Sequence, residues 1–120
     1  MLNLDTHILI FALAGRLRPR EEVLLSKERW GISAIVLWEI AKLFQLGRIL
    51  VDLEDPDFLR ALSEIHIWPI DLQVCQKLRA LDFNGDPADE LIAATSLLHR
   101  APLVTRDTAI RKSKVVPLAR

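Results

Sequence analysis

A chain of 120 residues, 51% of them hydrophobic, has the size of one domain and is too apolar to remain disordered. Sixteen basic and sixteen acidic residues give a formal net charge of zero, which excludes a protein that coats nucleic acid through bulk positive charge. The lone Cys75 excludes a disulfide scaffold and a cysteine-rich zinc site, and it is expected to be a small buried hydrophobe in a reducing cytosol.

The opening MLNL is a short apolar strand ending at Asp5, and Ile8 to Ala14 continue as a helix that Gly15 stops. This segment has no basic leader and is interrupted by Asp5 and His7, so it is read as structure and not as a signal peptide. No apolar run approaches the ~20 residues that cross a bilayer, so a soluble cytoplasmic protein with no membrane contact is expected. Pro19 and the pair Glu21–Glu22 open a helix over 19–29. Gly31-Ile32-Ser33 is a second strand running into a helix that ends at Gly47. Asp55-Pro56 starts an acidic helix through Phe58, Leu59, Leu62 and Ile65. His66 to Ile70 reads as an edge strand, because Pro69 removes a ladder donor, and 71–81 are helical. Asp86-Pro87 begins the strongest helix, with a carboxylate cap, proline at the first position and acids in the first turn before LIAATSLL. Leu103-Val104 is a strand leading to Thr105-Arg106-Asp107, and 114–118 form the last strand.

Apolar strands alternating with helices imply an α/β fold, a single domain over 1–120 whose parallel sheet is covered on both faces. Ligands of such sheets bind beyond the carboxyl ends of the strands, where Asp5 and Asp107 fall. Charge along the chain is uneven: residues 1–48 carry seven basic and five acidic groups, 49–90 three and ten, and 91–120 six and one. Arg106, Lys112 and Lys114 in the basic last third, with Arg16, Arg18 and Arg20, are candidates for phosphate contacts.

Two acids stand where the pattern calls for apolar or small residues. Glu39 lies inside the stripe Ile35, Val36, Ile40 and Leu43, so its carboxylate is aimed inward and needs a cation. Asp89 shares a helix face with the small residues Ala93 and Ser96. Taken singly, Asp5 and Asp107 are adequate helix caps, and Asp86 is better read as one. Taken together, Asp5, Glu39, Asp89 and Asp107 are best accounted for by an oxygen-ligand site for a hard divalent ion such as Mg²⁺ or Mn²⁺, whose open positions suit phosphodiester chemistry. Trp30, Trp38 and Trp68 could stack bases, but Trp38 and Trp68 are expected in the core or at a dimer interface, and His7 is near enough in sequence to contact substrate.

Four blocks, LDTHILI (4–10), ISAIVLWEIAKL (32–43), DPADELIAATSL (86–97) and LVTRD (103–107), resemble in order the PIN-domain ribonucleases, particularly the VapC-type toxins of bacterial toxin–antitoxin pairs. The resemblance implies a central parallel sheet of about five strands flanked by helices. It places Asp5, Glu39, Asp89 and Asp107 on the family's metal-binding acids, with Thr6, Asp86 and Thr105 as accessory positions. It further implies a Mg²⁺- or Mn²⁺-dependent endoribonuclease that acts on RNA, forms a homodimer and is inhibited by a cognate antitoxin protein. The main alternative is a non-catalytic PIN-like binding module acting through protein contacts, which could dispense with the acids. A phosphotransfer enzyme using Asp5 as nucleophile is weakened by the absence of a second carboxylate two residues on and of a Gly-rich phosphate loop.

Overall fold

All three residues of β1 (Leu2–Leu4) are buried, as expected of a central strand with helices on both faces. The computed structural model describes residues 1–120. After β1 come α1 (Thr6–Leu13), α2 (Pro19–Ser26), β2 (Trp30–Ser33) and α3 (Ala34–Gln45). They are followed by α4 (Pro56–Leu62), β3 (His66–Trp68) and α5 (Leu72–Lys77), which continues into a 3₁₀ turn at Leu78–Ala80. The chain ends with α6 (Pro87–His99), β4 (Leu103–Val104) and α7 (Thr108–Arg111).

The sheet has four strands, all parallel, in the order β3-β2-β1-β4. The expected fifth strand over 114–118 shrinks to one bridge between Leu118 and Leu103. Leu103 N donates to Pro117 O at 2.8 Å and Ala119 N donates to Leu103 O at 3.0 Å, but Pro117 has no N–H with which to extend a ladder. β3 is the edge strand and stops at Trp68, one residue before Pro69.

Local chemistry sets the helix starts. Proline occupies the first turn of α2, α4 and α6, and the side chains of Asp55 and Asp86 accept from backbone N–H groups of α4 and α6. α2 ends at Ser26 and not at 29, because the Arg29 carbonyl already accepts from Leu2 N at the start of β2. The core joins Leu2, Leu4, Ile8 and Leu9 to Ile32, Val36, Ile40, Ile92 and Leu103. Within it Asn3 Nδ2 donates to Ile92 O at 3.0 Å and to Ser96 Oγ at 2.8 Å, which fixes β1 against α6.

Of the two places expected for Trp38 the core is corrected, and so is the expected burial of Cys75. Trp38 is 56% exposed and lies outside the core, because Val36 and Ile40 take the buried face of α3 and Trp38 projects from the opposite one. Cys75 is exposed as well, since α5 buries Val74 and the next residue is turned about 100° away. Trp68 is buried and stacks on His99, with ring centroids 5.4 Å apart. Gly31 leaves room for it: a Cβ there would lie 2.6 Å from the Trp68 ring.

From β1 the chain moves outward through β2 and β3 on one side, then returns to the other side of β1 for β4. The carboxyl ends of β1 and β4 therefore flank the switch point of the sheet, where parallel α/β folds open a crevice.

Candidate metal centre

Asp5 follows β1 directly and caps α1, its Oδ1 accepting from Thr6 N at 2.8 Å. Its Oδ2 accepts from Thr105 Oγ1 at 2.5 Å, so both oxygens of a carboxylate only 7% exposed are held by neighbours. Thr105 comes just after β4, and its Oγ1 also accepts from Asp107 N at 3.0 Å. Asp107 in turn caps α7 by accepting from Ile110 N at 3.0 Å. One threonine thus sets the positions of two acids from opposite ends of the sequence.

Glu39 reaches the same place from α3, where it is half-buried and accepts a short hydrogen bond from Thr6 Oγ1. The stripe pattern correctly turns Glu39 off the solvent face, but its carboxylate meets the crevice and not the hydrophobic interior. α6 contributes Asp86 and Asp89, and Asp86 Oδ1 caps the helix by accepting from Asp89 N at 2.9 Å. Gly85 packs against this turn, where a Cβ would stand 3.3 Å from Asp89 Cβ.

Five carboxylates, Asp5, Glu39, Asp86, Asp89 and Asp107, line one cavity of about 440 Å³. Burial pushes the Asp5 carboxyl above its ordinary value, against the lowering effect of its hydrogen bonds from Thr105 and Thr6. Burial also raises Glu39, and the charges of Asp5 and Asp86 add to the effect. Asp89 is pushed up to about 7, by burial first and then by repulsion from Asp86, Asp5, Asp107 and Glu39. The cavity therefore holds more negative charge than its own protein environment balances.

The residues expected from sequence separate into three groups. The acids and Arg106 line the cavity, Thr6 and Thr105 hold Glu39 and Asp5 from behind, and His7 stands exposed at its edge. Lys112 and Lys114 are exposed and lie outside it. Arg106 is not free: its Nε and a terminal nitrogen donate to Glu21 at 2.8 and 2.7 Å, and its guanidinium carbon lies 4.1 Å over the Phe11 ring. Sequence reasoning misses Glu21 and Phe11. Their one signal is Glu21 as an acid in a first turn, which does not foretell a partner 85 residues away.

Five carboxylates supply hard oxygens around the cavity, the donors that suit Mg²⁺ or Mn²⁺, and they carry the excess charge that a cation would relieve. In their present rotamers no three of the acidic or histidine side chains converge on one point as metal ligands. Hydrogen bonds from Thr6 and Thr105 occupy both oxygens of Asp5 and one of Glu39.

Comparison with known proteins supplies the wider context. The family model described as the PIN domain matches residues 3–115. The chain is 28% identical to ribonuclease VapC22 of Mycobacterium tuberculosis, with 92% of this chain and 90% of that protein covered. It superposes with a TM-score of 0.71 on a chain of a toxin–antitoxin complex from Klebsiella pneumoniae, at 25% identity and with 93% and 91% of the two chains covered. A TM-score of 0.72 relates it to a chain of VapBC2 from Rickettsia felis, solved bound to a DNA fragment from their promoter, at 21% identity and 98% and 97% coverage. That second likeness is one of fold.

Proposed function

This chain belongs to the PIN-domain family, and from that membership we propose that it is a Mg²⁺- or Mn²⁺-dependent endoribonuclease, the toxin of a toxin–antitoxin pair. The observation that carries this reading is that Asp5, Glu39, Asp89 and Asp107, from four separate parts of the fold, line one cavity at the crevice beside β1 and β4. A binding module has no use for so many carboxylates gathered in one partly buried cavity, where their mutual repulsion costs stability unless a cation compensates it. The similarity to ribonuclease VapC22 supports RNA as substrate.

Asp5, Glu39, Asp89 and Asp107 would hold the metal, with Asp86 at the rim. When bound, such an ion supplies Lewis acidity toward a phosphoryl oxygen and toward the attacking water. The chain's own residues prepare the site. Thr6 N and Thr105 Oγ1 hold the Asp5 carboxylate in one orientation at the mouth of the cavity. Thr6 Oγ1 does the same for Glu39. Asp89, pushed up to about 7 by burial and by its acidic neighbours, would give its oxygens to a cation as a carboxylate once deprotonated. His7, exposed beside the acids, is placed to meet the substrate strand.

The partners follow from the same reading. A cognate antitoxin is supported by the likeness to a chain of the Klebsiella pneumoniae toxin–antitoxin complex. Exposed apolar side chains such as Trp38, Phe44, Leu46 and Leu50 offer surface for that protein and for a second copy of this chain. The decisive experiment incubates the protein with single-stranded and structured RNA in chelator, Mg²⁺ and Mn²⁺. Metal-dependent cleavage is expected, and cleavage undiminished in chelator rejects the mechanism.

A further inference from the structure

A second cavity, of about 190 Å³, borders the acidic one and shares Arg106 with it. Arg18 and Arg20 at the start of α2 and Arg111 at the end of α7 line it. The one acid in its wall is Glu21, whose oxygens are already taken by the Arg106 guanidinium and by Arg18 N. Arg18, Arg20 and Arg111 take part in no ion pair. Arg111 is nevertheless held in place, a terminal nitrogen donating to Thr105 O at 3.2 Å. Arg18 and Arg20 at one end of the chain and Arg111 at the other thus line one small concave space, with Glu21, already gripped by Arg106, as the single acid to offset their charge. Like charges gathered in this way repel unless an anion joins them.

Its position identifies the anion. Thr105 lines the basic cavity and donates Oγ1 to Asp5 in the acidic one. A polyanionic strand whose scissile phosphate lies among five carboxylates is repelled by them and needs positive charge close by. A chain of zero net charge can supply it only locally. Guanidinium groups suit the task, since their planar donors match two phosphate oxygens at once. We propose that the cavity of Arg18, Arg20 and Arg111 is a phosphate subsite that binds a backbone phosphate of the RNA next to the one in the acidic cleft. This inference rests on the nuclease reading for the identity of the strand. It assigns the strand's path to the α2 and α7 side of the cleft and away from Lys112 and Lys114.

The test measures binding without cleavage. Fluorescence anisotropy follows a single-stranded RNA oligonucleotide in chelator across a salt series, with wild type, Arg20→Gln, Arg111→Gln, the double variant and the remote control Arg79→Gln. Circular dichroism checks each fold. Several-fold weaker binding is expected for each single variant at the cavity, with the salt slope reduced by about 0.7 for each phosphate that is no longer neutralised. The Arg79→Gln protein should match wild type. A strand carrying one neutral methylphosphonate linkage at the subsite should weaken wild-type binding to the same degree and add nothing in the double variant. Wild-type affinity and slope in the double variant overturn the proposal, as does binding of an acidic peptide but not of RNA. Cleavage of the unmodified strand in Mn²⁺ is scored separately. Arginine-dependent binding without cleavage rejects the nuclease reading alone, and cleavage with no arginine dependence of binding rejects the subsite alone.

Discussion

Arg106 grips Glu21 through two parallel hydrogen bonds, Nε to Oε2 at 2.8 Å and a terminal nitrogen to Oε1 at 2.7 Å, across 85 residues of sequence. The pair joins the loop after β4 to α2 and stands between the acidic and basic cavities. The guanidinium beside Glu21 holds its carboxyl below the ordinary value.

Breaking this pair from one side leaves the Glu21 carboxylate with only the hydrogen bond from Arg18 N. Arg106→Met retains apolar contact with Phe11 but removes both guanidinium donors from Glu21, so unfolding in urea should show a decrease in stability of about 1–3 kcal/mol. Adding Glu21→Gln should restore most of it. Because the folded pKa of Glu21 is depressed, its contribution is present above the unfolded value of 4.5 and disappears as pH falls through the folded one. The gap between wild type and Arg106→Met should therefore close in acid. A double variant no more stable than the single one contradicts this account.

Glu39→Gln keeps the shape of the side chain and an oxygen for Thr6 Oγ1, but removes the charge. RNA turnover should fall by about 10²-fold or more while circular dichroism stays unchanged. Turnover at the wild-type rate would make Glu39 a structural residue.

Asp89 gives the site a pH signature in metal-free protein. Its folded pKa, near 7, lies above the unfolded 3.8, so between these values the native state binds more protons than the unfolded one. Stability must then fall as pH rises from about 4 to 7, by about 1–2 kcal/mol once solvent screening of a half-buried group is allowed for. Melting temperatures in chelator should drop from pH 5 to pH 8. Asp89→Asn should flatten that profile, melt higher than wild type at pH 8 and gain less from added Mn²⁺. A lower melting temperature for the variant at pH 8, with cleavage retained, would return Asp89 to the role of a first-turn acid.

Thr105→Val removes the hydroxyl that fixes Asp5 and Asp107 while preserving volume. Depriving a buried carboxylate of a charge-assisted bond costs about 1–3 kcal/mol, and RNA cleavage should fall with it. Thr105→Ser should recover both. Failure of serine to rescue would point to the methyl group's packing as the cause.

Gly31→Ala tests the sheet and not the site. The new Cβ would meet the Trp68 ring at 2.6 Å, and that ring is trapped between β2 and His99, so overpacking should cost about 1–3 kcal/mol. Activity per folded molecule should be unchanged.

Features written in neighbouring residues are the ones legible in the sequence. Asp55-Pro56 and Asp86-Pro87 carry their own helix starts, and Glu39 betrays itself by interrupting an apolar stripe. The four acids stand out because each sits at a strand end or on a helix face with a defined direction. Where the outcome depends on distant partners, local pattern misleads. The run Lys114–Leu118 has strand-like residues, yet Pro117 limits it to a single bridge. Trp38 has the character of a core residue but faces away from the buried side of α3. The charge of Arg106 suggests RNA, and the structure commits its donors to Glu21, which no spacing rule links to it.

The order β3-β2-β1-β4 also governs when the cleft can exist during synthesis. The threonine that orients Asp5 follows β4 and is made 100 residues after it. A nascent chain can pair β1 with β2 and β3 and still lack one wall of the crevice. Closing so long a loop is slow. Asp5 and Glu39 can meet through β1, β2 and α3 beforehand, but Thr105 and Asp107 join them only when β4 docks.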